Sequence, residues 1–333
     1  MFDHLAALTD EYGLFEHALH SSPRPEHGYC LDDAARALIV TCREPRPSSV
    51  VVRLRGRYLR FVVSAVRPDG TCHNRFDRAG PRGSETGLGD WWGRALWALG
   101  VAAALADTSS MRSTAIVSFR IAAQQRSPFS RSMAFAALGA GELLRVAPGE
   151  PAARKLLRDA AKAVVPDDAD TTPDWPWPEP RLRYANATVA EALLMAGDAL
   201  PNKAILTSGL DLLAFLLRVE TRADRLSVTP VSGRGPGEFG PAYDQQPIEV
   251  AAIADACATA YRITTDPRWL GGIQLAWRWF LGHNDSRTPM FDPATGAGYD
   301  GLQQGGRNLN QGAESTLAML STAQHARHIQ EMR

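Results

Sequence analysis

KAILTSGLDLLAFLLRV, residues 203–219, sets Leu206, Leu210, Leu213 and Leu217 three or four positions apart. That spacing lines one face of an α-helix and fits no alternating strand. Outward in both directions, the same period predicts helices over 32–43, 49–67, 90–107, 112–125, 130–146, 151–164, 186–199, 246–263, 267–282 and 311–329, with one more near 3–19. Alanine is abundant in these runs, which suits helix formation and close helix–helix contact. Alternating segments are scarce, and residues 225–230 offer at most a short ribbon. The chain reads as all-α.

The connections alternate in character. Residues 107–111 and 199–202 are short links, whereas 68–89, 165–185, 220–245 and 283–310 are long and rich in glycine, proline and aromatic residues. Long structureless loops inside a compact domain usually carry function. Six helical hairpins with their long loops gathered at one end describe an (α/α)6 toroid, in one domain spanning 1–333. A helical bundle or irregular α-solenoid satisfies the same periodicity, although no exact repeat marks a solenoid.

Composition narrows the partner. Of 333 residues, 45% are hydrophobic and 22% charged, enough for a large core. Lys+Arg and Asp+Glu both number 36, so the formal net charge is zero. A nucleic-acid or anionic-membrane partner normally leaves a basic excess, and neither is expected here. A neutral polymer or small polar substrate fits better, and a homodimer stays open. Cys30, Cys42, Cys72 and Cys257 form no CxxC pair, which argues against structural zinc and a disulfide framework. The N-terminal segment is acidic and amphipathic, unlike a signal peptide. No window reaches the roughly 18 apolar residues of a membrane span. The expectation is a cytoplasmic protein without cofactor or metal.

Four polar clusters open predicted helices: Asp32-Asp33-Ala34-Ala35-Arg36, Asp90-Trp91-Trp92-Gly93-Arg94, Asp244-Gln245-Gln246-Pro247-Ile248-Glu249 and Asn310-Gln311-Gly312-Ala313-Glu314. Each acid has a plain reading as an N-cap or a first-turn complement to the helix dipole. The first cluster carries more than that. Its adjacent carboxylates repel, which raises one pKa, and they follow a His27-Gly28-Tyr29 loop. Glu249 shares a helical face with Gln245 and Gln246 and precedes a small apolar run, the setting of a general acid. Trp91 and Trp92 point about 100° apart, so they cannot both face the core. Trp175 and Trp177, stiffened by Pro176 and Pro178, form a rigid aromatic loop leading to Tyr184 and Asn186. Its plain reading is a plug over helix ends. Residues 232–240 are glycine-rich but lack the Gly-Lys-Ser/Thr of a P-loop. Asn284, Asp285 and Asp292 lack the spacing of a calcium loop.

Taken together, HGYCLDDAARALIV (27–40), GDWWGRALWALG (89–100), DWPWPEPRLRYANATVAEALLMAG (174–197), DQQPIEVAAIADA (244–256), FDPATGAGYDGL (291–302) and NLNQGAESTLAML (308–320) resemble the six-hairpin, (α/α)6 glycosidase-like proteins of bacteria. The similarity runs through nearly the whole chain. Within that group the chain is similar to the mycobacterial hydrolases of methylmannose polysaccharide, which are endo-α-mannosidases. The resemblance implies a cytosolic α-1,4-linked (methyl)mannoside substrate and no redox cofactor. The chain departs from the broader group before Asp90, where Gly89 stands in place of an acidic residue and Glu85 is displaced. That makes Asp90 a substrate ligand rather than a catalytic group.

Glycoside hydrolysis needs one carboxyl to protonate the leaving oxygen and another to activate water or attack carbon. Glu249 is assigned as the acid and Asp33 as the base, with Asp32 and Arg36 tuning Asp33. Inversion is expected, which requires the two carboxyls roughly 6.5–9.5 Å apart and facing one cavity, against about 5–5.5 Å for retention. Trp175, Trp177, Tyr243 and one of Trp91 and Trp92 would stack on sugar rings. His27, Asn186, Gln246, Asp300 and Gln311 would bind hydroxyls, and Tyr29, Asp90, Tyr184, Asp244, Gln245, Tyr299 and Glu314 complete the candidate set. Three other classes compete. A phosphorylase needs an Arg/Lys/His phosphate pocket beside the carboxylates. An epimerase needs histidines, for which His27, His73 and His283 are placed. A non-catalytic saccharide-binding partner of a glycosyltransferase needs neither carboxyl.

Overall fold

A computed structural model describes residues 1–83, 86–165 and 171–331. Among these residues twelve α-helices follow one another: α1 (Asp3–Ala7), α2 (Leu31–Arg43), α3 (Ser49–Ala65), α4 (Asp90–Leu105), α5 (Ser109–Ala122), α6 (Ser130–Val146), α7 (Pro151–Val164), α8 (Ala187–Ala199), α9 (Lys203–Glu220), α10 (Pro247–Thr264), α11 (Arg268–Phe280) and α12 (Ala313–Glu331). The even-numbered helices pack each on the next, and α12 packs back on α2, which closes an inner ring. The odd-numbered helices lie outside it. This is the (α/α)6 toroid.

Local sequence explains which helix goes where. The inner helices are apolar on nearly every side, as in α8, where Ala187 through Gly197 are all buried. Outer helices are one-sided: α7 buries only Ala153, Leu156, Leu157, Ala160, Ala161 and Val164, a stripe of helical period. Between the rings lie Trp92, Trp177, Trp269, Trp279, Tyr58 and Phe119, all fully buried, each large apolar side chain worth about 1.5–3 kcal/mol. The α4–α6 seam is the tightest. A Cβ on Gly100 would stand 2.1 Å from the Gly139 carbonyl oxygen, so only glycine allows that approach.

Two predicted elements differ. The N-terminal helix stops at Ala7, and 8–30 continue as turns and paired dipeptides, with Ala18–Leu19 antiparallel to Ser22–Pro23. The expected ribbon at 225–230 is a hairpin of Thr221–Arg222 with Arg225–Leu226. Short two- and three-residue strands also organise the long loops at the mouth, pairing Tyr29–Cys30 with Arg75–Asp77 and Gly301–Gln303 with Gly306–Asn308. At the opposite end of the axis Arg43 (2.6 Å), His325 (2.6 Å) and Ser321 (3.1 Å) all bind Asp255 Oδ1. No described helix is long and apolar enough to cross a membrane.

Candidate active site

The inner helices start at one mouth. Of these, α4, α6, α8 and α10 have no capping residue of their own, so their positive dipole ends, gathered around the mouth, favour anionic groups.

Asp33 is not a cap. The cap of α2 is Cys30, whose sulfur accepts from Asp33 N at 3.5 Å and whose thiol donates to Asp33 Oδ2 at 3.1 Å. Arg36, one turn on, donates to Asp33 Oδ1 (2.6 Å) and to Glu314 Oε2 (2.6 Å), tying α2 to α12. Burial pushes Asp33 up to about 6, against the pull of Arg36. Its neighbour behaves oppositely. Burial acts to raise Asp32 as well, but Arg94 (3.0 Å) and Arg36 outweigh it and hold Asp32 below the usual carboxylate range. The two adjacent acids do differ, but the expected mutual repulsion is not the cause: burial with the Glu314 and Glu16 charges raises Asp33, and the second arginine, Arg94, holds Asp32 down. Gly28, at φ 74°, makes the turn into this segment; a Cβ there would stand 2.4 Å from Phe76 O.

Glu249 is equally buried and differently held. Oε2 accepts from Asn186 Nδ2 (2.9 Å) and Asn186 N (3.3 Å), and Oε1 accepts from Ala185 N. A carboxylate of α10 therefore caps α8. Burial and the nearby Glu220 charge push Glu249 up to about 8, over the opposing influence of those N–H donors.

Two cavities open at the mouth. One, of about 360 Å³, is bordered by Asp32, Asp33, Arg36, Asp244, Asp300 and Glu314, together with Glu16, His17, Arg75 and Asn308. The other, of about 320 Å³, is bordered by Glu249, Tyr184, Arg181 and residues 229–233. Gln246 and Val231 line both and form the ridge between them. Burial raises Asp300 too, against the Gly312 N–H at 2.8 Å.

The remaining candidates spread around these cavities. Asp90 accepts from Tyr184 Oη (2.6 Å) and Ser132 Oγ (2.9 Å), behind the Glu249 cavity. Asn186 spends its amide on Glu249 and on the Arg183 N–H. Several are structural. Trp92 and Trp177 are fully buried and have no face for a sugar; Trp92 donates to Ala122 O, and Trp177 stacks on Phe215 and donates to Glu179. Trp175 is also in the core, edge-on to Phe215. The Trp-Pro loop is therefore the plug over helix ends, pinned by the 2.5 Å Arg131–Glu179 ion pair. Trp91 is half-buried and donates to Cys72 O. Tyr29 is buried with its hydroxyl on Asp10, and Gln245 is buried between Asp285 and Trp279. Gln311 is buried, its backbone tied to His4 and His20. Arg307 covers the Tyr299 ring, and Tyr243 packs on the core. His27 lies beside His17, outside both cavities. Glu85 falls outside the described residues.

Glu16 and Arg75 are site residues that no motif announced, and Arg94, which closes the second polar cluster, holds Asp32 in a role that the sequence leaves unassigned. Glu16 and Arg75 pair with each other at the Asp33 cavity. Glu16 sits at a bend inside the stretch expected to be helical, and Arg75 opens a three-residue strand too short to show a period. Glu16, Cys30 and Asp33 offer donor atoms within 4.8 Å of one another. Arg75 and Arg36 already neutralise the two acids, and burial raises the Cys30 thiol well above its usual range, so the trio reads as a hydrogen-bond network rather than a metal centre. Asp285, bound by Arg225 and Gln245, is likewise committed.

No protein-family model and no curated protein matches this chain. Solved structures do. A sugar epimerase from a ruminal bacterium superposes with TM-score 0.69 at 11% identity, covering 96% of this chain and 94% of its own. Cellobiose 2-epimerase from Spirochaeta thermophila gives 0.68 at 14%, covering 98% and 93%. A GH76 α-mannanase from Bacteroides thetaiotaomicron gives 0.63 at 11%, covering 91% and 87%. Identities this low establish a common architecture and nothing finer: the chain has the (α/α)6 toroid of these epimerases and glycosidases.

Proposed function

We propose that the protein is a carbohydrate-active enzyme, and within that class an endo-acting glycoside hydrolase of an α-linked, mannoside-type polysaccharide. One observation carries the reading. Two buried carboxyls with raised pKa, Asp33 and Glu249, border two cavities that share the Gln246–Val231 ridge; the expectation that both face one cavity is not met, so the pairing requires a glycan that bridges the two. A glycan laid across that ridge would present its glycosidic oxygen to Glu249. Oε2 of Glu249 already accepts two N–H groups and Oε1 one, so the proton resides on Oε1. It passes to the leaving oxygen as the C–O bond breaks. Asp33, ionised near neutral pH, takes a proton from the water that attacks the anomeric carbon from the opposite face. Arg36 keeps Asp33 ionised, and Asp244, Gln246 and Asp300 hold hydroxyls.

The competing chemistries fit less well. Among the described residues only His17 of the eight histidines lines either cavity, which leaves an epimerase short of an acid–base pair. At the Asp33 cavity Arg36 and Arg75 are both engaged by carboxylates, so neither is free to clamp phosphate there. Beneath the Asp33 cavity, and sharing Arg36 and Glu314 with it, lies a chamber of about 50 Å³ walled by Ile39, Val40, Trp97, Phe135, Ile248 and Leu317. An apolar pocket under a polar cup suits a methyl ether better than a hydroxyl, which supports a methylated glycan.

The test is incubation with α- and β-linked mannans and glucans, methylated and not, with products weighed by mass spectrometry. Internal fragments from an α-mannan, formed equally with and without phosphate, are expected. Phosphorylated products point to a phosphorylase, a C2-inverted sugar to an epimerase, and binding without turnover to a lectin-like partner.

A further inference from the structure

Residues 232–240, a glycine-rich loop that the catalytic reading leaves unused, end at Phe239, the most exposed large apolar side chain among the described residues at 86%. Such a loop should be loose, yet it is heavily braced. Arg234, 3% exposed, donates to Glu238 O (3.1 Å) and Gly240 O (3.1 Å), the carbonyls on both sides of Phe239. Its other nitrogen reaches Ser227 O at 3.2 Å. Arg181 grips both Glu238 oxygens (2.6 and 2.9 Å), and Gly235 N adds a third bond at 3.0 Å. Leu182 and Arg234 exchange backbone hydrogen bonds of 2.8 and 3.0 Å. The bracing joins the loop to the site, because Arg181, Leu182, Val231, Ser232 and Gly233 wall the Glu249 cavity.

A buried guanidinium and a bidentate ion pair thus fix the backbone around a ring that the fold does not bury. An exposed aromatic ring on a braced backbone, tied through Glu238 to Arg181 in the wall of the Glu249 cavity, offers a surface for the C–H face of a pyranose. We propose that Phe239 is a stacking platform for a sugar unit beyond the two cavities, on the side of Glu249. This rests on the hydrolase reading and deepens it: the favoured substrate is a chain long enough to reach past the cavity wall.

Phe239→Ala and Phe239→Trp are compared with wild type on size-fractionated α-manno-oligosaccharides, with melting temperature and sedimentation measured alongside. The alanine variant is expected to raise KM roughly 3- to 10-fold on the longest chains and to leave kcat/KM on the shortest cleaved chain unchanged. The tryptophan variant keeps the length preference, and melting is unaltered because the ring packs on nothing. Equal loss at every length, or none, overturns the platform while leaving the hydrolase reading intact. Unchanged kinetics with an altered oligomeric state assigns the ring to a protein contact and also overturns it. A wild type that cleaves no oligosaccharide overturns the hydrolase reading and the platform with it.

Discussion

Asp33 and Glu249 are both acids near the start of inner helices, both almost fully buried, and both shifted upward by that burial. Their partners separate them. Asp33 meets a guanidinium and a thiol, whereas Glu249 meets only N–H groups, two of them the backbone of another helix. One carboxyl is held by a direct ion pair, and the other, with Glu220 as its charged neighbour, is built into the architecture by hydrogen bonds. Equal burial thus says little about what an acid does; the donors around it say more.

Substitution that keeps shape while removing the acid tests this contrast most severely. Asp33→Asn and Glu249→Gln are each expected to lower kcat on a cleaved glycan by about 10²- to 10⁴-fold. Activity surviving either change above a tenth of wild type breaks the assignment. Stability should divide the two. The amide introduced by Glu249→Gln must turn an N–H toward Ala185 N or Asn186 N, which should cost about 1–3 kcal/mol in a urea melt. Asp33→Asn can aim its amide at the Cys30 sulfur and keep its oxygen on Arg36, so its melt should move little. Equal destabilisation would erase the distinction.

The pH profile sharpens it further. The base must be ionised, so kcat/KM rises through about 6, and the acid must be protonated, so it falls through about 8. Arg36→Met removes the cation beside Asp33 and should move the acidic limb upward, narrowing the bell while the alkaline limb stays. A shifted alkaline limb would mean the two carboxyls are not separately controlled. Least in size, Cys30→Ala deletes the thiol donor on Asp33 Oδ2 and should nudge the acidic limb upward with a rate loss of a few-fold, on the order of one hydrogen bond. Cys30→Ser should restore it.

How much of this was legible follows from periodicity. Leu206, Leu210, Leu213 and Leu217 announce their helix, and α2 to α12 are those the period predicts, with ends moved by a few residues. The segment 3–19 misleads because Leu5, Leu8 and Phe15 are buried as a helix stripe would be, while the backbone turns around Gly13. Asp33 and Glu249 were readable because their neighbours carry more polarity than capping requires. The tryptophans were not: composition places an indole in a loop but not the direction it faces, and Trp92, Trp175 and Trp177 went inward. Glu16 and Arg75 were invisible because a bend and a three-residue strand leave no pattern. That Glu249 caps α8 was also hidden, since it is a contact between residues 63 positions apart.

The bond from Arg36 to Glu314 joins residues 278 positions apart, where α12 meets α2. During synthesis Asp33 and its arginine emerge well before Asp300 and Glu314. Until then the inner ring is an arc whose two flanks, on α2 and α10, lie open to water, and Arg36 has only one of its two anions. The cup exists only when the arc closes, so an unfinished chain is sticky and inert together, in need of shelter from other nascent chains.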